Sequence, residues 1–339
     1  MRYLPTRFAV KRRMETNPNS RGRVLLAVLA VCLILSGLFA VFQAISGKFL
    51  PHDEEYLGMR AEDLCALQGC RIVHFMIHDR VSFGGAIVAI GLLYLWLARQ
   101  RQPWAWWLFL LSGAVGFGSF FAYLGYGYLD TWHGAATLAL LPCFLFGLVQ
   151  GHESPFPDGI RCLVQPTRRF SLSTSLGLGR ACLLATTAGL VIGGLVIFLV
   201  GMTCVFVPQD LQYIGLETEE MRNLNPRLLP LIAHDRAGFG GAVCCCGLTM
   251  FFCILRGKPS RSLWLTLALA GTAGFVAAIG VHPAIGYNDL VHLAPAVLGG
   301  ILYLAGLMLT FRPMWRSQVK PTLPRSLLPS SPENSIFRF

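Results

Sequence analysis

A chain of 339 residues that is 54% hydrophobic and only 13% charged is too apolar for an ordinary soluble domain, in which about a quarter of the residues are charged. The net charge of +11 does not indicate nucleic acid, because the excess sits in connections between apolar runs and no basic stripe with interleaved aromatics remains. Composition therefore predicts an all-α, polytopic membrane protein whose partner is the lipid bilayer, and it points to no particular protein partner.

Residues 1–22 form a polar, basic tail. The apolar run from Arg23 to about Gly47 exceeds the usual length of a signal-peptide core, about 7–15 residues, and reads as a first span. Seven further spans are predicted near 81–98, 104–124, 131–150, 181–205, 237–255, 262–281 and 290–311. Eight helices result.

The second span opens with His78-Asp79-Arg80-Val81-Ser82-Phe83-Gly84-Gly85-Ala86, and the sixth with His234-Asp235-Arg236-Ala237-Gly238-Phe239-Gly240-Gly241-Ala242; seven of nine positions agree. Phe49-x-Pro51-x-Asp53-x-x-Tyr56-x-Gly58 returns as Phe206-x-Pro208-x-Asp210-x-x-Tyr213-x-Gly215. Asp130-Thr131-Trp132-His133 likewise returns as Asp289-Leu290-Val291-His292. Agreement over three stretches marks an internal duplication. The chain thus divides into a basic tail (1–22), a four-helix repeat (23–150), a linker (151–180), a second four-helix repeat (181–311) and a Pro/Ser/Arg-rich tail (312–339) read as disordered. Because each repeat holds an even number of spans, the two run parallel through the membrane.

Charge orients them. The two tails and the connections after spans two, four and six hold 21 Lys and Arg, against 7 on the other side. By the positive-inside rule both termini are cytoplasmic, in the plasma (inner) membrane. The outer loops, about 48–80 and 206–236, begin with the Pro and Gly of a fixed turn and continue into a short interfacial helix, with Thr218 as a plausible N-cap in the second. Cys65 and Cys70 in the first loop can form a disulfide that the second copy lacks.

This topology delivers Asp53, His78, Asp79, Arg80, Asp130 and His133 from one repeat, and Asp210, His234, Asp235, Arg236, Asp289 and His292 from the other, to the outer face. Asp130 with His133, and Asp289 with His292, are spaced i, i+3 and share a helix face. Their plain reading is that each Asp caps a helix N-terminus while Arg80 and Arg236 pair with aspartates of a loop or of the other copy. The chemical reading is a site in which histidines ligate a divalent metal or haem, or act as general bases, and the arginines hold an anionic group. His52, His74 and His282 have no His counterpart in the other copy and carry less weight. Glycines such as Gly84, Gly85, Gly113, Gly116, Gly271 and Gly274 are explained by close helix packing. No charged residue lies near the middle of a predicted span, which argues against a proton relay. The pattern favours a membrane scaffold or small-molecule transporter; the alternative is a membrane-embedded redox or metal- or haem-dependent enzyme with its site at the outer face.

Overall fold

The computed structural model describes residues 18–125, 128–152, 159–164 and 171–316. Among them are thirteen helices and no strand: α1 (Pro18–Ile45), α2 (Pro51–Leu57), α3 (Ala61–Gln68), α4 (Arg71–Leu97), α5 (Pro103–Leu124), α6 (Thr131–Gly151), α7 (Arg161–Val164), α8 (Ser175–Met202), α9 (Pro208–Ile214), α10 (Thr218–Leu224), α11 (Leu228–Arg256), α12 (Arg261–Ile285) and α13 (Leu290–Arg316). Eight of them, α1, α4, α5, α6, α8, α11, α12 and α13, are long and apolar enough to cross a membrane. The expected disordered tail lies largely outside the described residues, and its first part, to Arg316, continues α13.

The spans carrying the His-Asp-Arg triplets start earlier than expected, at Arg71 rather than about 81 and at Leu228 rather than about 237. Each triplet therefore lies about two turns inside its helix instead of at its mouth. The ionic side chains do not stop the helix because each finds a partner on a neighbouring element, as set out below. Likewise α8 begins at Ser175, within the predicted linker, where the Thr174 hydroxyl accepts from the Gly177 N–H at 3.1 Å and caps it.

The repeated Phe-x-Pro-x-Asp stretch forms a seven-residue helix, not a bare turn. Pro51 and Pro208 occupy the first helical turn, where a missing N–H costs nothing. Asp53 and Asp210 reach back to accept from the N–H of Leu50 (3.4 Å) and Val207 (2.9 Å). Gly58 and Gly215 end the helices at φ 70° and 78°, a conformation that favours glycine. The N-cap of α10 is Glu217 rather than Thr218, and its own N–H is bonded by the Glu220 carboxylate at 2.7 Å. Cys65 and Cys70 are bonded, stapling α3 to the start of α4.

Two helices form the centre. In the most apolar stretch of α4, 72% of the residues are buried, and in α11 67%; in the other six spans the share is 22–28%, as expected of helices with one face on lipid. Helix α4 packs on α1, α11 and α12, and α11 on α8, α4 and α5; α6 lies on α1 and α13 on α8. Glycine permits the approach: a Cβ on Gly84 would lie 2.7 Å from the Gly37 carbonyl oxygen, and one on Gly240 2.2 Å from the Phe198 nitrogen.

Along α4 the apolar packing is interrupted. Ile72, Val73, Phe75 and Met76 join Leu64, Phe206, Met221, Leu228 and Ile232 in a cap formed with the loop helices, while Leu93, Leu97, Leu108, Met250 and Tyr303 belong to the main core. His78, Asp79 and Ser82 are buried between the two layers. The polar cluster is therefore roofed by apolar side chains rather than bathed in water.

Candidate metal centre

The arginines clamp the two central helices together. Arg80 donates from Nε to Asp235 Oδ2 (2.7 Å) and from Nη1 to Asp53 Oδ2 (2.8 Å), and Asp53 Oδ1 accepts from the Tyr128 hydroxyl at 2.8 Å. Arg236 repeats the pattern: Nη2 lies 2.9 Å from Asp210 Oδ2, Nη1 lies 4.0 Å from Asp79 Oδ2, and Asp210 Oδ1 accepts from Tyr287 at 2.8 Å. Burial alone would raise the Asp53 pKa, but the Arg80 charge, the Tyr128 hydroxyl and His52 outweigh it and hold the carboxyl below its ordinary value.

Two groups of potential ligands flank these clamps. The first is Asp130, His133 and His234. Asp130 ends the chain before α6, and its Oδ1 caps the helix by accepting from the His133 N–H at 2.9 Å. That leaves Oδ2 directed at the ring nitrogens: it lies 2.6 Å from His133 Nδ1 and 3.4 Å from His234 Nε2, which are themselves 3.3 Å apart. Burial would raise the Asp130 pKa; hydrogen bonds from His133 and His234 overcome this and keep the carboxyl ionised, well below its ordinary range. His234 is 1% exposed, whereas the His133 side chain is 37% exposed, so the group opens toward the surface on one side.

The second group is His78, His282 and His292, supplied by α4, α12 and α13, each offering a ring nitrogen within 4.8 Å of the others. Their ring centroids are 4.5 to 5.8 Å apart. His292 also stacks on Tyr287 at 4.6 Å. In each group a triplet histidine from one half of the chain meets the Asp-x-x-His histidine of the other: His234 with His133, and His78 with His292.

The remaining expected residues separate. Asp289 caps α13 by accepting from the His292 N–H at 2.7 Å and joins neither ligand group. Asp53, Asp79, Asp210 and Asp235 serve the clamps, Asp79 also bonding His78 at 2.8 Å. Two histidines that the duplication gave little weight are close by. His282 is a member of the second group, and His52 Nε2 lies 3.3 Å from Asp130 Oδ1, with its ring stacked on Trp132 at 5.8 Å. The sequence signal was that both sit within a few residues of repeated motifs; a search for symmetry alone passes over them. His74 belongs to neither group.

The fold and the site together define an integral membrane protein by helix length and composition, with His/Asp clusters buried at one end. Comparison with protein-family profiles, with curated proteins and with solved structures finds no match.

Proposed function

We propose that the chain is a membrane-embedded metalloprotein of two parallel four-helix repeats whose polar end faces the exterior and holds a divalent first-row transition-metal ion on Asp130, His133 and His234. The carrying observation is the triangle of Asp130 Oδ2, His133 Nδ1 and His234 Nε2, with edges of 2.6, 3.4 and 3.3 Å. With the carboxylate ionised, both imidazoles can donate to Oδ2, and the same three atoms converge closely enough to hold a cation instead. A cation held by Oδ2 and the unprotonated faces of both rings makes the same three contacts.

The dimensions suit one. A triangle with those edges has a circumscribed radius of about 1.8 Å, so an ion about 2.0–2.1 Å from each ligand atom sits about 1 Å above the plane, with its far side open. Two imidazoles and a carboxylate on one face of an ion are the facial set of non-haem iron(II) sites, whose open positions take water, dioxygen or a small substrate. A haem would place two axial histidines on opposite faces of its ring; His133 and His234 converge with Asp130 on a single point, which favours a bare ion.

The repeat reading is supported by the matching surroundings of α4 and α11 and by the equivalent Tyr128–Asp53 and Tyr287–Asp210 bonds. The bounds 23–150 and 181–311 follow from the same correspondence. An exterior-facing polar end, with the termini in the cytoplasm and the chain in the plasma membrane, is supported by 21 against 7 cationic residues. The Cys65–Cys70 disulfide at that end suits an oxidising compartment. The Arg80 clamp by itself would serve a scaffold or a small-molecule transporter equally well, but neither requires the Asp130 triangle.

Metal analysis tests the proposal on detergent-purified protein carrying no polyhistidine tag. One or more transition-metal equivalents per chain are expected, with one equivalent lost in His133→Gln, His234→Gln or Asp130→Asn variants that still elute as a single species. A wild-type protein that is metal-free and takes up no Fe(II), Zn(II) or Co(II) on dialysis rejects it.

A further inference from the structure

We infer that His78, His282 and His292 form a second, chemically different metal site, one of three imidazoles that selects an ion of the zinc–copper class. The inference does not depend on the Asp130 centre, since it uses other residues and another kind of observation: which ring nitrogens are left with a free lone pair.

His282 is 3% exposed. Its Nδ1 lies 2.8 Å from the Ala278 carbonyl oxygen; a carbonyl only accepts, so Nδ1 carries the proton and Nε2 carries the lone pair. That Nε2 is buried and bonds to no described residue. A buried acceptor without a donor is costly, and the His282 ring packs against two more histidines, with centroids 4.5 and 5.5 Å away. His78, also 3% exposed, is prepared in the same way, with Nδ1 2.8 Å from Asp79 Oδ1. The carboxylate accepts a hydrogen bond from Nδ1–H, which leaves the lone pair on the other nitrogen, on the far side of the ring. Imidazoles whose far N–H is held by a carbonyl or a carboxylate are the arrangement by which proteins orient metal-binding histidines. His292 completes the set more loosely, its Nδ1 3.9 Å from Asp210 Oδ1. Nitrogens up to 4.8 Å apart must draw together by about 1.4 Å to reach the spacing of about 3.4 Å around a tetrahedral ion. The His292 ring is the one free to make most of that movement.

The donor set fixes the class of ion. Imidazole suits zinc, copper, iron and nickel, whereas magnesium, calcium and manganese prefer oxygen ligands. The first group supplies a carboxylate and this one supplies none: Asp289, the counterpart of Asp130, caps α13 but is not a member of the group, whose third residue is His282. Two copies of one design have thereby become an oxygen-containing, partly open site and an all-nitrogen, buried one.

Cobalt(II) distinguishes them, since its visible absorption reports ligand type and geometry. Chelator-treated, detergent-solubilised full-length protein is titrated with Co(II), and Zn(II) is then added as competitor. Wild type is expected to take two equivalents and the His282→Gln variant one. His282→Cys, which restores a ligand, should again take two and show a new thiolate-to-cobalt charge-transfer band. In the His133→Gln variant the single remaining equivalent should be displaced by Zn(II). Two equivalents retained in His282→Gln, or His282→Cys binding one equivalent without the thiolate band, would overturn the second site. A wild type that binds one equivalent, lost in His133→Gln but not in His282→Gln, removes this inference and leaves the Asp130 centre standing; the converse pattern removes the Asp130 centre alone.

Discussion

Arg80 shows how one side chain can be both a liability and a tie. Its guanidinium is largely withdrawn from water, the side chain 18% exposed between α4, α11 and the loop helix α2, and it is tolerable there because Asp235 and Asp53 each bond it at under 3 Å. Replacing it by Met removes the cation and leaves two carboxylates facing each other beneath the apolar cap. Loss of one partner of a buried ion pair costs about 3–5 kcal/mol, so Arg80→Met should unfold at markedly lower denaturant in detergent. A double variant, Arg80→Met with Asp235→Asn, should recover part of the loss; full additivity would show that the two residues do not interact. Arg222, paired with Glu219 on the exposed surface of α10, is the contrast, since exposed pairs contribute little, and Arg222→Met should leave the midpoint nearly unchanged.

Asp53 also sets a pH dependence. It faces Arg80, His52 and Tyr128, with Asp235 across the clamp, and its pKa is lowered from 3.8 in the fold. The unfolded chain therefore takes up this proton first as pH falls, so the contribution to stability is complete above the ordinary value and is lost as pH drops through it toward the lower folded value. Thermal midpoints measured from pH 7 to pH 3 should fall steeply below about pH 4 in wild type, the ordinary carboxylate range. The fall should be shallower in Asp53→Asn, which starts from a lower midpoint; parallel curves for the two proteins would remove Asp53 as the cause.

Among the helices, the α8–α11 contact depends most visibly on missing side chains. A Cβ on Gly194 would meet the Cys244 nitrogen at 2.3 Å and one on Gly240 the Phe198 nitrogen at 2.2 Å, backbone against backbone, whereas a Cβ on Gly118 meets nothing within 4 Å. Rigid neighbours cannot yield, so the helices would have to part. Gly240→Val should abolish the folded species on fluorescence-detected size exclusion, and Gly118→Ala should leave it intact. Equal behaviour of the two variants would mean that the contact adapts more than close packing allows. Separation of α8 from α11 would also disturb His234, six residues before Gly240, so metal content should fall along with folded yield.

For the whole molecule the decisive proposition is orientation. Single cysteines at Glu55 and Gln212, at the polar end on α2 and α9, should react with an impermeant thiol reagent in intact cells when introduced into a cysteine-free background, and one at Ser173 should not. The reverse labelling would put the proposed metal sites on the cytoplasmic side and require a different source of metal. The apolar roof over the His and Asp side chains matters here too: excluding water lowers the local dielectric and strengthens each ionic contact. An ion bound as proposed is expected to exchange slowly, except on the side where His133 is exposed.

Hydrophobic run length and the distribution of Lys and Arg are local properties of a chain, and they were enough to foresee eight long apolar helices, because a bilayer leaves few ways to satisfy a backbone. Twelve ionisable residues could be named from their recurrence, and the capping of helices by Asp130 and Asp289 from their spacing. Position along the helix was not legible: His78-Asp79-Arg80 looks like a boundary, and only Asp235 on a neighbouring span and Asp53 on the short helix α2 make it an interior segment. Nor was His282, which has no repeated counterpart and becomes a candidate ligand only when α12 packs on α4 and brings it to 4.5 Å from His78. The pairing of His133 with His234, 101 residues apart, is likewise a product of packing. Sequence periodicity reports what each helix needs from its surroundings, while the identity of the partner that meets the need depends on which faces close together, and no single helix carries that information.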